Sequence, residues 1–323
     1  MEQTLARNLT LTVTYAFVHS SHLRTGGYPT EEAWSRNFIE CPNGTDPFGR
    51  AFLCGALDGT LGSAGDTASF SHGNYHSVVV NVTKRFSNHF QAFGNYIWSQ
   101  NKDNGSSERD TDTYFGTQDP FNINIDYGRN GLDIKHQFKA AGVYDLPWGF
   151  AASASFIGHT GVPYPLYVNV DINGDGVSNN GHNNDRPTVQ LANGKVVLLN
   201  RYPFDQPGFA ELDARVQKDV RLGERYRLQF SADFFNLTNR ANLYSNPDTS
   251  ATIDYADLGG CVANSTAFPG VANIMGSTCG PLTAPLTKAN FAAGGPYAGY
   301  RTINQVAPGS TPFAFQAGAK FIF

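Results

Sequence analysis

The segment DINGDGVSNNGHNNDRP, residues 171 to 187, is where residue type and spacing point most directly at chemistry. Asp171, Asn173 and Asp175 offer oxygen ligands at alternate positions, Gly176 permits a sharp turn, and Val177 supplies a backbone carbonyl, as in calcium loops. The twelfth position is His182 where a bidentate Glu is the usual ligand, so Asn179, Asn184 or Asp185 would have to complete the shell. The competing reading is a polar loop rich in turn formers. Four cysteines form a second set: Cys41 and Cys54 lie close in sequence, as do Cys261 and Cys279. Four cysteines allow three connectivities, and pairing Cys41 with Cys54 and Cys261 with Cys279 closes the shortest rings, on the oxidising side of a membrane. Metal binding is the rival, and neither pair has the CxxC spacing of a zinc site. The eight histidines include no HExxH, and His136 shares a face with Ile134 and Phe138 as a rim or packing residue. Glu108, Asp110 and Asp112 form a solvated cluster with no acid–base partner. There is no GxSxG, P-loop or dinucleotide fingerprint, so an enzyme is not expected.

The elements that must position these residues alternate in polarity. Only 15% of residues are charged, against 13% aromatic, with 34 Gly, 15 Tyr and 24 Phe and a formal charge of −4. A soluble domain typically carries about 25% charged residues. The slightly acidic balance gives no support for nucleic-acid binding. Mean hydropathy is −0.32, and no apolar run approaches the ~18 residues of a membrane helix. Eight segments alternate with period two. Their apolar faces are Leu9 to Phe17, His76 to Val82, Phe90 to Trp98, Ile134 to Tyr144, Ala152 to Phe156, Leu212 to Val220, Leu228 to Phe234, and Phe313, Phe315, Ala317, Ala319, Phe321 and Phe323. Almost every charge falls on the opposite face.

A soluble sandwich would alternate too, so the connections decide. SNH, LPWG and LGER make tight turns, while the joins near 19–74, 100–131, 158–208 and 239–310 are long. Strictly alternating short turns and long loops are expected of an outer-membrane barrel, with the turns periplasmic and the loops extracellular. Tyr96, Trp98, Tyr144 and Trp148 lie near strand ends, where an aromatic girdle belongs. The expected fold is therefore all-β: an antiparallel up-and-down transmembrane barrel in the outer membrane of a Gram-negative bacterium, its aromatic face in contact with lipid. The first residues lack the features of a signal peptide.

In order along the chain, KRFSNHFQAFGNYIWSQNKD, DIKHQFKAAGVYDLPWGF, DINGDGVSNNGHNNDRP, ELDARVQKDVRLGERYRLQFSADFFNLTNRANL and FQAGAKFIF resemble the C-terminal part of the barrel of TonB-dependent outer-membrane receptors, especially the Oar-like group. The resemblance implies energised uptake of a bulky nutrient, with the TonB system acting through a plug domain that residues 1–323 do not contain. It also implies a larger barrel of which about eight strands are present. The terminal aromatics Phe313, Phe315, Phe321 and Phe323 look like the signal read by the barrel assembly machinery. The alternative is a non-transporting surface module, either a small closed outer-membrane barrel or a secreted β-sandwich adhesin.

Overall fold

The computed structural model describes residues 1–25, 38–45, 51–56, 68–105, 123–168, 186–190, 193, 196–245, 252–253, 261–263, 277–279, 289–290, 305–307 and 309–323. Its centre is one antiparallel sheet whose nine main strands are neighbours in chain order. They are β1 (Glu2–Ala6), β2 (Leu9–Thr25), β3 (Ala68–Ser87), β4 (Phe90–Asp103), β5 (His136–Leu146), β6 (Phe150–His159), β7 (Phe209–Leu222), β8 (Tyr226–Phe235) and β9 (Ala314–Ile322). The two-residue strand Gly128–Arg129 adds to the end of β4. Short antiparallel or parallel pairs, such as Phe38–Thr45 with Ala51–Ala56 and Tyr167–Val168 with Thr252–Ile253, lie in the long connections.

Register is continuous across the middle of the sheet and shifts only near strand ends, between Thr4 and Ala6, after Ser20 and after Lys84; because the side-chain period is two, the continuous part keeps each strand's apolar set on one face. One row runs Val80, Tyr96, Phe138, Gly158, Ala210. Another runs Ala92, Gly142, Ala154, Ala214, Phe234, Phe315. The tight turns fix that register. Asn88 and His89 between β3 and β4 have φ of 53° and 62°, and Trp148 and Gly149 between β5 and β6 have 62° and 75°. Two consecutive left-handed residues match the twist of the flanking strands. At Gly149 a Cβ would stand 2.9 Å from the Asp219 carbonyl oxygen, so this turn needs glycine for space as well as conformation.

Burial is inverted relative to a water-soluble domain. Among the described residues the buried apolar side chains are Tyr164, Leu166, Val189 and Leu199, all outside the nine strands, whereas Ser77, Ser99, Asp103 and Asp233 on the strands are buried. Tyr15, Phe17, Tyr96, Phe138, Phe230, Phe315 and Phe321 stand exposed on the apolar face. No described helix is long and apolar enough to cross a membrane. The sheet is concave on its polar side, and β1 and β9 do not pair with each other, so both edges of the described sheet are open.

Three details depart from the sequence expectation. A ninth strand, β1, pairs with β2, its Gln3 opposite Leu11. The strands also run further than the polarity pattern suggests: β2 reaches Thr25 and β3 begins at Ala68, because backbone pairing continues beyond the apolar stretch. The polar face is not uniformly polar either, since Phe93, Ile157 and Phe235 stand exposed on it.

Candidate functional site: a polar concave face and its braced outer end

The concave face of β3 to β8 encloses an open hollow of about 520 Å³, lined by Gln91, Phe93, Ser153, Ser155, Arg215 and Asp233 among others. These residues share one face because each is an odd-numbered position on a strand in continuous register. Arg215 donates from Nε to Asp233 on the neighbouring strand, and Ser231 Oγ lies 3.4 Å from the other Asp233 oxygen. Nearer the short turns Asp219 accepts from Gln229 at 2.9 Å and from Arg227 at 3.4 Å. At the other end Asp213 accepts the Asn236 backbone N–H at 2.9 Å. Carboxylates and cations alternate across the strands, as suits a wall in contact with water.

At the long-loop end this wall is braced by Arg–Asp pairs, of which Arg201–Asp103 and Arg186–Asp126 are buried. Arg201 donates to Asp103 at 2.8 Å, Arg186 pairs with Asp126, and Arg129 joins Asp133 at 2.8 Å and Asp205 at 2.7 Å. Asn130 adds a hydrogen bond to Asp103, and the Asn101 N–H donates to Asp133 at 2.7 Å. Burial disfavours the Arg129 charge, but the hydrogen bonds from Arg129 to Asp205 and Asp133 outweigh that and hold the guanidinium above its ordinary value. Breaking a buried pair of this kind by removing one partner costs about 3–5 kcal/mol. Residues 123–133, Arg186 and residues 201–205 are thereby fixed onto the ends of β4 and β5.

A second brace comes from asparagines spaced three apart in NLTNRAN. Asn236 is fully buried with φ 45°, and its Nδ2 donates to the carbonyls of Arg240 at 3.0 Å and Thr311 at 2.7 Å. Asn239 accepts from the Phe313 N–H at 3.2 Å. Asn242 accepts from the Ala210 N–H at 2.9 Å and donates to its carbonyl at 3.1 Å. These amides tie the exits of β7 and β8 to the entry of β9. Sequence reasoning passed over both braces; the even spacing of the asparagines was the one available signal.

The residues singled out in the sequence fall as follows. Asp171, Asn173, Asp175, Val177, Asn179 and Asp185 lie outside the described residues. Cys261 stands opposite Cys279 in a short antiparallel pair, and Cys41 and Cys54 lie on paired strands, but their side chains are outside the described set. No group of three or more His, Cys, Asp or Glu able to hold a metal occurs among the described residues. Phe313, Phe315, Phe321 and Phe323 are all exposed on the apolar face, with Phe315 5.3 Å from Phe234 and Phe321 5.6 Å from Tyr226 between ring centres.

The chain matches the family model described as an outer membrane beta barrel domain over residues 1–278. No curated protein matches. Among solved structures it is similar to the outer membrane transporter YddB from Escherichia coli, at 8% identity and a TM-score of 0.38. That alignment covers 79% of this chain and 29% of the transporter, so this chain spans under a third of its length.

Proposed function

We propose, from the premise that this chain belongs to the outer membrane beta barrel domain family and resides in the outer membrane, that it forms one sector of the wall of a larger transport barrel. The observation that carries this reading is an inside-out sheet with two open edges. In hydrocarbon each unpaired backbone group costs several kcal/mol, so β1 and β9 must both find partners. Further strands supply them in this reading, and a barrel of about 22 strands leaves a lumen wide enough for bulky cargo and a plug. The concave face then lines the lumen, and the braced end is the mouth through which cargo arrives. The resemblance of the strand motifs to TonB-dependent receptors supports energised uptake, with the TonB system acting through a plug. The barrel assembly machinery is the partner that reads Phe313 to Phe323.

Closure separates this reading from a small self-contained barrel. Cysteines replacing Thr4 and Ala317, in a chain freed of its native cysteines and inserted in membranes, stay unlinked under oxidation if other strands intervene. An efficient bond between them shows that β1 and β9 meet, which overturns the larger barrel. The pairings Cys41–Cys54 and Cys261–Cys279 belong to the same proposal, since they presuppose loops on the oxidising outer side. Mass spectrometry of non-reduced peptides decides them. Calcium at Asp171 to Asp185 rests on sequence alone and is tested by isothermal titration with calcium.

A further inference from the structure

The outward positions of β2 to β9 carry Lys84, Lys102 and Lys218 and no Asp or Glu. The three lysines are not equivalent. Lys84 at the short-turn rim reaches the carbonyls of Ser87 at 3.2 Å and Phe90 at 3.4 Å and lies over the Phe90 ring. Lys218 donates to the Trp148 carbonyl and sits 4.5 Å above the Phe150 ring centre. Lys84 is occupied by its own turn and Lys218 by the neighbouring turn between β5 and β6. Lys102, at the long-loop rim, has no partner among the described residues.

Four histidines lie near Lys102 on that same outward surface: His19 Nδ1 is 2.8 Å from Asn74 Oδ1 and the His72 ring stacks on Tyr127, while His76 and His136 stand nearer the membrane. Tyr15 Oη is 2.8 Å from His76 Nδ1, and Tyr96 Oη is 2.7 Å from His136 Nδ1. A hydroxyl satisfies Nδ1 as donor or acceptor, so in each ring Nε2 is left to a group outside the protein. Register places His76 opposite Gln100, one row below Lys102, and His136 opposite Trp98, one row lower again. With strands about 4.8 Å apart and about 6.8 Å between rows, His76 is roughly 8 Å from Lys102 and 12 Å from His136 along the sheet, and Lys102 is roughly 14 Å from His136. That span suits a headgroup with several oxygens better than a single small ion.

Beside and below His136 the outward face is hollowed. An open depression of about 600 Å³ is lined by polar groups such as His136 and Thr160 at its upper side and by Tyr96, Phe138, Phe156 and Gly158 below them. Tyr96, Phe138, Gly158 and Ala210 form one register row, and the glycine leaves the gap over which the Phe156 ring leans. The carboxylate bordering the depression, Asp205, is ion-paired with Arg129 at 2.7 Å. An apolar trough running toward the membrane centre, topped by cationic and N–H donor groups, matches an amphiphile whose head is anionic.

We propose that this trough and the groups above it, His136, His76 and Lys102, bind a phosphate-bearing lipid of the outer leaflet. One acyl chain lies against Phe138, Phe156 and Gly158, and the phosphate oxygens accept from the histidine Nε2–H groups and the lysine ammonium. The lipid is a resident of the barrel wall, distinct from any cargo in the lumen. The full chain is reconstituted in phosphatidylcholine vesicles with and without phosphatidic acid, and lipid retention is read by native mass spectrometry. Retention of phosphatidic acid over phosphatidylcholine is expected, and the combined variant Lys102→Ala, His76→Ala, His136→Ala is expected to lose it by about tenfold. Lys218→Ala at the opposite rim is the folding-matched control and retains the lipid. Inorganic phosphate added to the phosphatidylcholine sample should neither bind nor displace retained phosphatidic acid. No preference for phosphatidic acid, equal loss in the Lys218→Ala control, or displacement by free phosphate each overturns the lipid seat.

Discussion

Replacing Ala232 with Arg tests which face of the sheet meets lipid. Ala232 is the seventh residue of β8 and stands between Val216 and Ala317 on the neighbouring strands. Six residues from Tyr226 at about 3.3 Å each give roughly 20 Å along the strand. A strand tilt of about 40° reduces that to roughly 15 Å along the membrane normal, near the middle of an apolar band about 25 Å tall. A guanidinium there has no acceptor opposite it and a long way to water, and an Arg at the midplane of such a barrel costs about 2–4 kcal/mol. Gln229 is the matched control on the concave face. Its Nε2 donates to Asp219 at 2.9 Å, and an Arg in its place inherits that carboxylate as a partner, so Gln229→Arg should cost only about 0–1 kcal/mol. Equilibrium unfolding in lipid vesicles by guanidinium chloride measures both. A gap of about 1–4 kcal/mol, at least some fivefold in the folding constant, is the expected result. Equal costs, or a dearer Gln229→Arg, would refute the assignment of faces.

Three other perturbations follow from particular contacts. Asn236→Ala removes a fully buried amide that serves Arg240 and Thr311, and with donors and acceptors left unsatisfied the loss should reach about 3 kcal/mol; hydrogen exchange should quicken first at the entry to β9, and uniform quickening across the sheet would contradict the brace. Gly149→Ala should cost about 1–2 kcal/mol from left-handed strain alone, and more from contact with the Asp219 carbonyl; a stability gain would show that the turn is not held as described. Changing Phe321 and Phe323 to Ser should abolish outer-membrane insertion in a heat-modifiability gel, although Phe323 is 86% exposed and so contributes little to packing within the chain; normal insertion would remove the terminal aromatics from assembly.

Much of the sheet was legible because a membrane wall is patterned simply. Period-two alternation in LTLTVTYAF and RLQFSADFF needs only the lipid face to be apolar, so local sequence sets face and register together. The turns were legible too, since SNH, LPWG and LGER interrupt the alternation over few residues. β1 escaped because EQTLA is short and mixed in polarity, held by pairing with β2 and by no apolar pattern of its own. The braces escaped for another reason. Arg201 and Asp103 are 98 residues apart, and Arg129 and Asp205 are 76 apart, so nothing local marks them as partners. His136 was read as a rim or packing residue; its place on the outward face was correct, but its hydrogen bond to Tyr96 depends on which residues β4 and β5 set side by side.

The central claim is that the aromatic face of this sheet lies in hydrocarbon and the charged face lines an aqueous lumen. Nitroxide labels placed one at a time from Leu228 to Phe234 on β8, in a cysteine-free chain reconstituted in lipid vesicles, measure this most directly. Oxygen accessibility should peak at 228, 230, 232 and 234, and accessibility to a water-soluble nickel chelate should peak at 229, 231 and 233. A flat profile, or the same alternation with the two reagents exchanged, would contradict the account.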